Sequence, residues 1–187
     1  MENADDDRKW KAWSIGEIDS DTLEKVSTEW EAEAGSDEFQ AEMSFIFSAI
    51  DDDLGDTDSS ASYFVLRQNG TSRAILELID TKRGAMTKLL SLHLSPTYWD
   101  VPSPEMVSEV YTAAIANTLS VGTARAITRR PGKHEIKIYG RNRELLDILR
   151  AIDDNWVDTE NVTIQMAGRW LSVVIVSVSY THLTLPT

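Results

Sequence analysis

No cysteine occurs among the 187 residues. That absence excludes disulfides, thiolate metal sites and cysteine nucleophiles. Histidine is nearly as scarce, with three residues in the whole chain, so a metal would have to rest on carboxylates alone. Asp51-Asp52-Asp53 is an acidic run without the alternating spacing of a calcium loop, and no metal site is expected. The sequence also lacks a run of about 18 apolar residues, so no membrane partner is expected. It has no glycine-rich phosphate loop with lysine, no dinucleotide fingerprint and no nucleophile elbow. Met1 to Asp7 is acidic and polar, the opposite of the basic start and apolar middle of a secretory leader. With no disulfide chemistry available, a cytoplasmic location is the expectation.

What is present is ordinary for a globular domain: 42% hydrophobic and 26% charged residues. The length suffices to bury a core without covalent staples. The net charge of -13 is unevenly placed. Residues 1–60 hold 19 acids against 4 bases, and residues 61–187 hold 12 against 14. Nucleic acid would be repelled by the first part, so no nucleic-acid partner is expected. The ten residues from Val178 to Thr187 read as a translated sequencing-library adaptor and are set aside like a fusion scar. The expected organisation is an acidic tail over 1–9, one domain over 10–176 and a non-native tail over 177–187. The natural frame is then expected to be cut near Val176.

Along the chain, Trp10, Trp13 and Ile15 suggest a first strand. Asp19-Ser20-Asp21 offers helix N-cap chemistry, and Leu23, Val26 and Trp30 follow at helical spacing up to Gly35. Phe39, Met43, Ile46, Phe47, Ile50 and Leu54 form one apolar stripe, which predicts a single helix fraying at Asp51-Asp52-Asp53. Tyr63–Leu66 and Ala74–Ile79 read as strands joined by a turn at Asn69-Gly70. Leu89–Leu94 is a third strand, expected to carry Leu90, Leu92 and Leu94 on one face and Leu89, Ser91 and His93 on the other. A helix from Ser103-Pro104 is predicted to stop at Gly122. His134–Tyr139 reads as a strand, Asn142 as the cap of a last helix, and Val162–Met166 with Trp170–Val176 as a closing hairpin. Three strands in a meander followed by strand–helix alternation predict an α/β (α+β) domain. Its central sheet is mixed, mostly antiparallel and flanked by helices.

This order, with the strand end Leu92-His93-Leu94-Ser95-Pro96, resembles the GNAT superfamily of N-acetyltransferases over roughly residues 8–176. The resemblance implies transfer of an acyl group from acetyl-CoA to a small-molecule or protein amine. It implies a V-shaped gap between the strands Leu89–Leu94 and His134–Tyr139, where Leu92, Leu94 and Ser95 would meet a pantetheine arm. In the family a glycine- and arginine-rich loop follows and cradles the pyrophosphate. Here that place falls on Trp99-Asp100-Val101-Pro102-Ser103-Pro104, which has no glycine. A family asparagine opening the last helix matches Asn142. The tyrosine expected seven residues later, to protonate the leaving thiolate, falls on Leu149.

The residues themselves offer substitutes. His93 could act as a general base near neutral pH, and Glu77 could share its neighbourhood as an acid–base partner. Tyr139 could supply the missing proton. Arg129, Arg130 and Lys133 lie in the basic segment 125–143, which holds seven bases against Glu135 alone; they could bind phosphate in place of the glycine loop. Two readings follow: a GNAT-like acyl-CoA-dependent N-acyltransferase, or a non-catalytic binding or protein-interaction module on the same fold. The sequence leaves the oligomeric state open.

Overall fold

The computed structural model describes residues 13–81, 85–100, 102–128 and 132–177. Trp10 therefore lies outside the described residues, as do Arg129 and Arg130. Strand β1 (Trp13–Glu17) leads into helices α1 (Ser20–Ala34), α2 (Ser36–Glu42) and α3 (Ser44–Gly55). Strands β2 (Ala61–Gln68), β3 (Thr71–Asp80) and β4 (Met86–Leu94) follow as a meander. A short 3-10 turn at Pro96–Tyr98 precedes helix α4 (Pro104–Thr128), strand β5 (Gly132–Tyr139) and helix α5 (Arg143–Asn155). The hairpin β6 (Val162–Ala167) and β7 (Trp170–Ser177) completes a seven-stranded sheet of order β1-β2-β3-β4-β5-β7-β6. Only β4 and β5 pair in parallel; the other neighbours are antiparallel. The expected mixed, mostly antiparallel sheet with helices on it is what forms.

Sequence chemistry explains the punctuation. Asp19 accepts a hydrogen bond from the Thr22 amide at 2.8 Å and caps α1; Asn142 accepts from the Leu145 amide at 2.9 Å and caps α5. Asn69 and Gly70, at φ 52° and 87°, supply the two left-handed residues of a tight hairpin. Helices α4 and α5 bury Val110, Ala114, Leu145 and Leu149 with Leu66, Leu76, Leu78, Ile136 and Ile138 on one sheet face. Helices α1–α3 bury Val26, Trp30, Phe39, Phe47 and Ile50 against Tyr63, Val65 and Ile75 on the other.

Three expectations are corrected. The predicted single helix over Phe39–Leu54 is two, broken at Met43 (φ -121°, ψ -21°). Ser44 donates its hydroxyl to the Gln40 carbonyl at 2.5 Å, a back-bond of the kind that bends helices. The acidic end does not fray before Gly55, and Asp53 accepts a hydrogen bond from the Tyr63 hydroxyl at 2.5 Å.

Gly122 does not stop α4, which runs on to Thr128. Gly122 is instead buried where the helix meets β5, and a Cβ there would sit 2.5 Å from Ile136 Cδ1 and 2.7 Å from Cγ1. Alanine would gain helix propensity of about 1 kcal/mol. Overpacking against the fully buried Ile136 costs about 1–3 kcal/mol. Gly122→Ala is therefore expected to be destabilising by equilibrium urea unfolding, and Gly122→Ala with Ile136→Val to recover part of the loss. A stabilised single variant would show that the helix–strand contact yields freely.

The third correction concerns β4. Between Glu77↔Ser91 and Leu78↔Leu89 the ladder skips Leu90, which is a β-bulge. Leu89, Leu92 and Leu94 face the α4–α5 core, while Leu90 is 51% exposed. Ser91 and His93, opposite Glu77 and Ile75, face the other way. A bulge bends its strand, and the parallel pairing of β4 with β5 ends at Leu89↔Ile138, immediately before it. Beyond that point β4 continues to Leu94, while β5 ends at Tyr139 and the chain turns at the buried Gly140. The two strands thus cease to pair at this point.

Candidate functional site

The parting opens a cleft lined by Leu89, Leu90, Ser91 and Leu92 of β4, Tyr111 of α4, and Tyr139, Arg141, Asn142 and Leu145 around the end of β5. Its empty space is about 370 Å3, part of it open to solvent. On the β4 wall the backbone is the functional group. Ser95 donates its amide to the Arg73 carbonyl of β3 at 2.9 Å. By the alternation of an extended strand, His93 and Ser95 turn their polar backbone towards β3, and Leu92 and Leu94 turn theirs towards the open side. The Trp99 indole donates to the Leu94 carbonyl at 3.3 Å and fills the far end of that edge. The Leu92 N–H and C=O remain facing the cleft.

Tyr111, Tyr139, Arg141 and Asn142 bring polar side chains to it, and the sheet face away from α4 carries further polar groups nearby on β3 and β4. On the α4 side, Asn142 donates from Nδ2 to the Tyr111 hydroxyl oxygen at 2.6 Å while its Oδ1 caps α5. Both ends of the amide are thereby committed, and Asn142 serves to hold Tyr111. The Tyr111 O–H proton is left to be donated into the cleft. On the opposite face stand Glu77, Ser91, His93 and Tyr139. Ser91 donates to Glu77 Oε2 at 2.6 Å. Tyr139 stacks on Trp170 at 4.9 Å between ring centroids, and Arg169 lies over it at 5.7 Å. Arg169 also donates to the Gly140 carbonyl at 2.7 Å and the Arg141 carbonyl at 2.8 Å, pinning the turn after β5.

His93 is held below its ordinary pKa, first by burial and then by the Arg141 guanidinium. Both effects disfavour the imidazolium, so the ring stays neutral near pH 7 and can accept a proton. Behind Glu77, Tyr63 is pushed above its usual pKa, chiefly by burial and then by its hydrogen bond to Asp53. It stays protonated throughout the physiological range.

The structure thus brings His93, Glu77 and Tyr139 to one face beside the cleft, with Leu92 at its edge. Leu94 is already engaged by Trp99. Ser95 turns its amide to β3 and its fully buried hydroxyl has no hydrogen-bond partner, so it is not brought to the cleft. Lys133 opens β5 six residues before Tyr139, about 20 Å away at strand rise, and lies at the far end from the cleft. Arg129 and Arg130 lie outside the described residues. Tyr111 was hidden from sequence reasoning inside an apolar helical stripe; its one signal was a hydroxyl among core positions, which needs a partner when buried. Among the described residues no group of three or more His, Asp or Glu could hold a metal ion, and no helix is long and apolar enough to cross a membrane.

Acetyl-CoA fits this site at one end only. The open Leu92 edge and the cleft suit an extended amide arm carrying a thioester. The start of α4, where the resemblance drawn from the sequence would put a diphosphate, offers few amide donors. Pro102 and Pro104 carry no N–H. The Met106 amide donates to Ser103 Oγ at 3.3 Å. Glu105 is held below the usual carboxylate pKa by its own backbone amide and then by the Ser103 hydroxyl, so a carboxylate stands at the helix start. From Pro96 to Glu109 the chain has three acids and no base.

No family model and no curated protein matches the sequence. Among solved structures the chain is similar to the ribosomal-protein-S18-alanine N-acetyltransferase of Escherichia coli, at 12% identity and a TM-score of 0.44 over 94% of this chain and 99% of that one. It is also similar to the spermidine/spermine N-acetyltransferase SpeG of Vibrio cholerae, at 10% identity and a TM-score of 0.47 over 90% and 94%. A GNAT-family acetyltransferase of Streptococcus pneumoniae is similar at 11% identity and a TM-score of 0.39 over 87% and 96%. At such identities and scores no family membership or activity passes from those proteins to this chain.

Proposed function

We propose that the protein is a GNAT-like N-acyltransferase that moves an acyl group from a thioester to an amine. The observation that carries this reading is the Leu92 edge of β4, which among the described residues pairs with no strand on the cleft side, with a held tyrosine hydroxyl at the cleft and the neutral imidazole of His93 on the strand that lines it. The Leu92 N–H faces the place where a thioester carbonyl oxygen gains charge, the use to which preorganised backbone donors are put in acyl transfer. His93 takes the proton lost by the amine nitrogen as the C–N bond forms. Tyr111 gives a proton to the sulfur as the C–S bond breaks, and solvent restores both groups. Glu77, held by Ser91, supplies negative charge for a cationic amine. Acetyl-CoA is one carrier of such a thioester.

The reading is tested by incubating the purified protein with acetyl thioesters and a panel of small and peptide amines, following thiol release and product mass. Amine-dependent thiol release is expected. Its absence with every donor would leave the non-catalytic module as the standing interpretation. Tyr111→Phe keeps the ring packing and removes the proton, and is expected to lower kcat by about 10²-fold, the lower end for a general acid because a thiolate leaves readily. Unchanged kcat in that variant, with Tyr139→Phe impaired instead, would move the role to Tyr139.

A further inference from the structure

The amide-poor start of α4 decides which donors the cleft can distinguish. An anion at a helix N-terminus is held by free first-turn amides and by the positive end of the helix dipole. At α4 the first of these amides is missing at Pro104, and the third is taken by Ser103 Oγ. Asp100 and Glu109 flank the helix start in sequence, and Glu109 accepts hydrogen bonds from Gln68 Nε2 at 3.0 Å and the Trp13 indole at 3.4 Å. Two of the first three helical residues thus offer no free amide, and a diphosphate would meet three carboxylates and no base between Pro96 and Glu109.

The recognition surface for a thioester's amide arm lies elsewhere, on the β4 backbone and among Tyr111, Tyr139 and Leu145. We infer that the acyl donor of this protein is recognised through an amide-bearing thioester arm of the pantetheine type, with no contribution from a nucleoside diphosphate. This rests on reading the cleft as a thioester site. Acetyl-CoA, S-acetylpantetheine and the shorter S-acetyl-N-acetylcysteamine then differ little as donors, because the part that CoA adds meets no cradle.

The test compares the three donors on one amine acceptor and, separately, titrates CoA, pantetheine and 3′,5′-ADP into the protein by calorimetry. The inference expects kcat/KM for acetyl-CoA and S-acetylpantetheine to agree within about tenfold, the Kd values of CoA and pantetheine to agree likewise, and 3′,5′-ADP to give no heat at millimolar concentration; a tenfold ratio is about 1.4 kcal/mol. A preference for CoA of a hundredfold or more in either measurement, or competition by 3′,5′-ADP, overturns it while leaving the acyltransferase reading intact. Binding of pantetheine and CoA alike without turnover of any donor upholds the inference and overturns the activity. Failure of both thiols to bind overturns both.

Discussion

Replacing His93 by glutamine is expected to lower kcat/KM for amine acylation by about 10²–10⁴-fold, the range for loss of a positioned general base. The same change also alters the pH profile. Burial and the Arg141 charge hold the imidazole below its ordinary value of 6.5. The acid limb of kcat/KM in the unsubstituted protein therefore falls below pH 6.5, and it disappears in His93→Gln. Arg141→Gln removes one of the two causes and is expected to move the limb upward. Stability follows the same equilibrium. Above pH 6.5 the ring is neutral in both folded and unfolded chains and contributes no pH dependence. As pH falls below 6.5 the unfolded chain binds the proton first, so stability declines down to the folded-state pKa. His93→Gln removes that decline. Measured rates and unfolding midpoints across pH 5–8 check both statements. Turnover and acid limb unchanged in the variant would take the base role from His93, with Glu77 the next group to replace.

Trp30→Ala is expected to remove about 3–5 kcal/mol of folding stability, the cost of deleting a large buried aromatic. Trp30 is fully buried where α1 crosses the sheet. Its ring meets Phe47 edge-on at 5.7 Å, and its indole donates to the Ser72 carbonyl at 3.0 Å. The Ser72 amide is satisfied by Glu29 at 2.9 Å, so one turn of α1 closes both polar groups at the start of β3. A loss of that size is a large share of the roughly 5–15 kcal/mol typical of a domain, about a fifth or more. Trp30→Phe retains a ring but strands the carbonyl, and should fall between the two in chemical denaturation. Full stability in Trp30→Ala would mean that α1 is not anchored to the sheet through this residue.

Elements whose signals are local were legible in the sequence. Asn69-Gly70 forms its turn because two adjacent residues must be left-handed, and the residue types announce it. Asn142 caps α5 for a similarly local reason. The core stripes of α1, α4 and α5 follow from spacing alone. What was not legible depends on counts across strands or on contacts between distant segments. Leu89 and Leu90 are both leucine, so the periodicity of β4 gives no sign of which one is extra until β3 is laid beside it. Gly122 has the residue type of a helix stop, and only the approach of Ile136 shows why it stands inside the helix. Tyr111 has the spacing of a core residue, and its chemistry appears only when Asn142, 31 positions later, meets its hydroxyl. The segment 99–104, where the resemblance implies a glycine-rich loop, was seen from the sequence to lack glycine. That Ser103 takes up the Met106 amide of α4 took coordinates to see.

Leu90 carries a consequence for how such a cleft can arise. Deleting it would join Leu89 to Ser91 and leave every other side chain of β4 on the face it now occupies, since Leu78 already opposes Leu89 and Glu77 already opposes Ser91. Deleting Leu89 would give the identical chain, because both residues are leucine. The root of the cleft is thus owed to one supernumerary codon that the hydrophobic core tolerates, so in this fold an opening for a ligand can be gained or lost by a single-residue insertion or deletion while the core on either side stays the same.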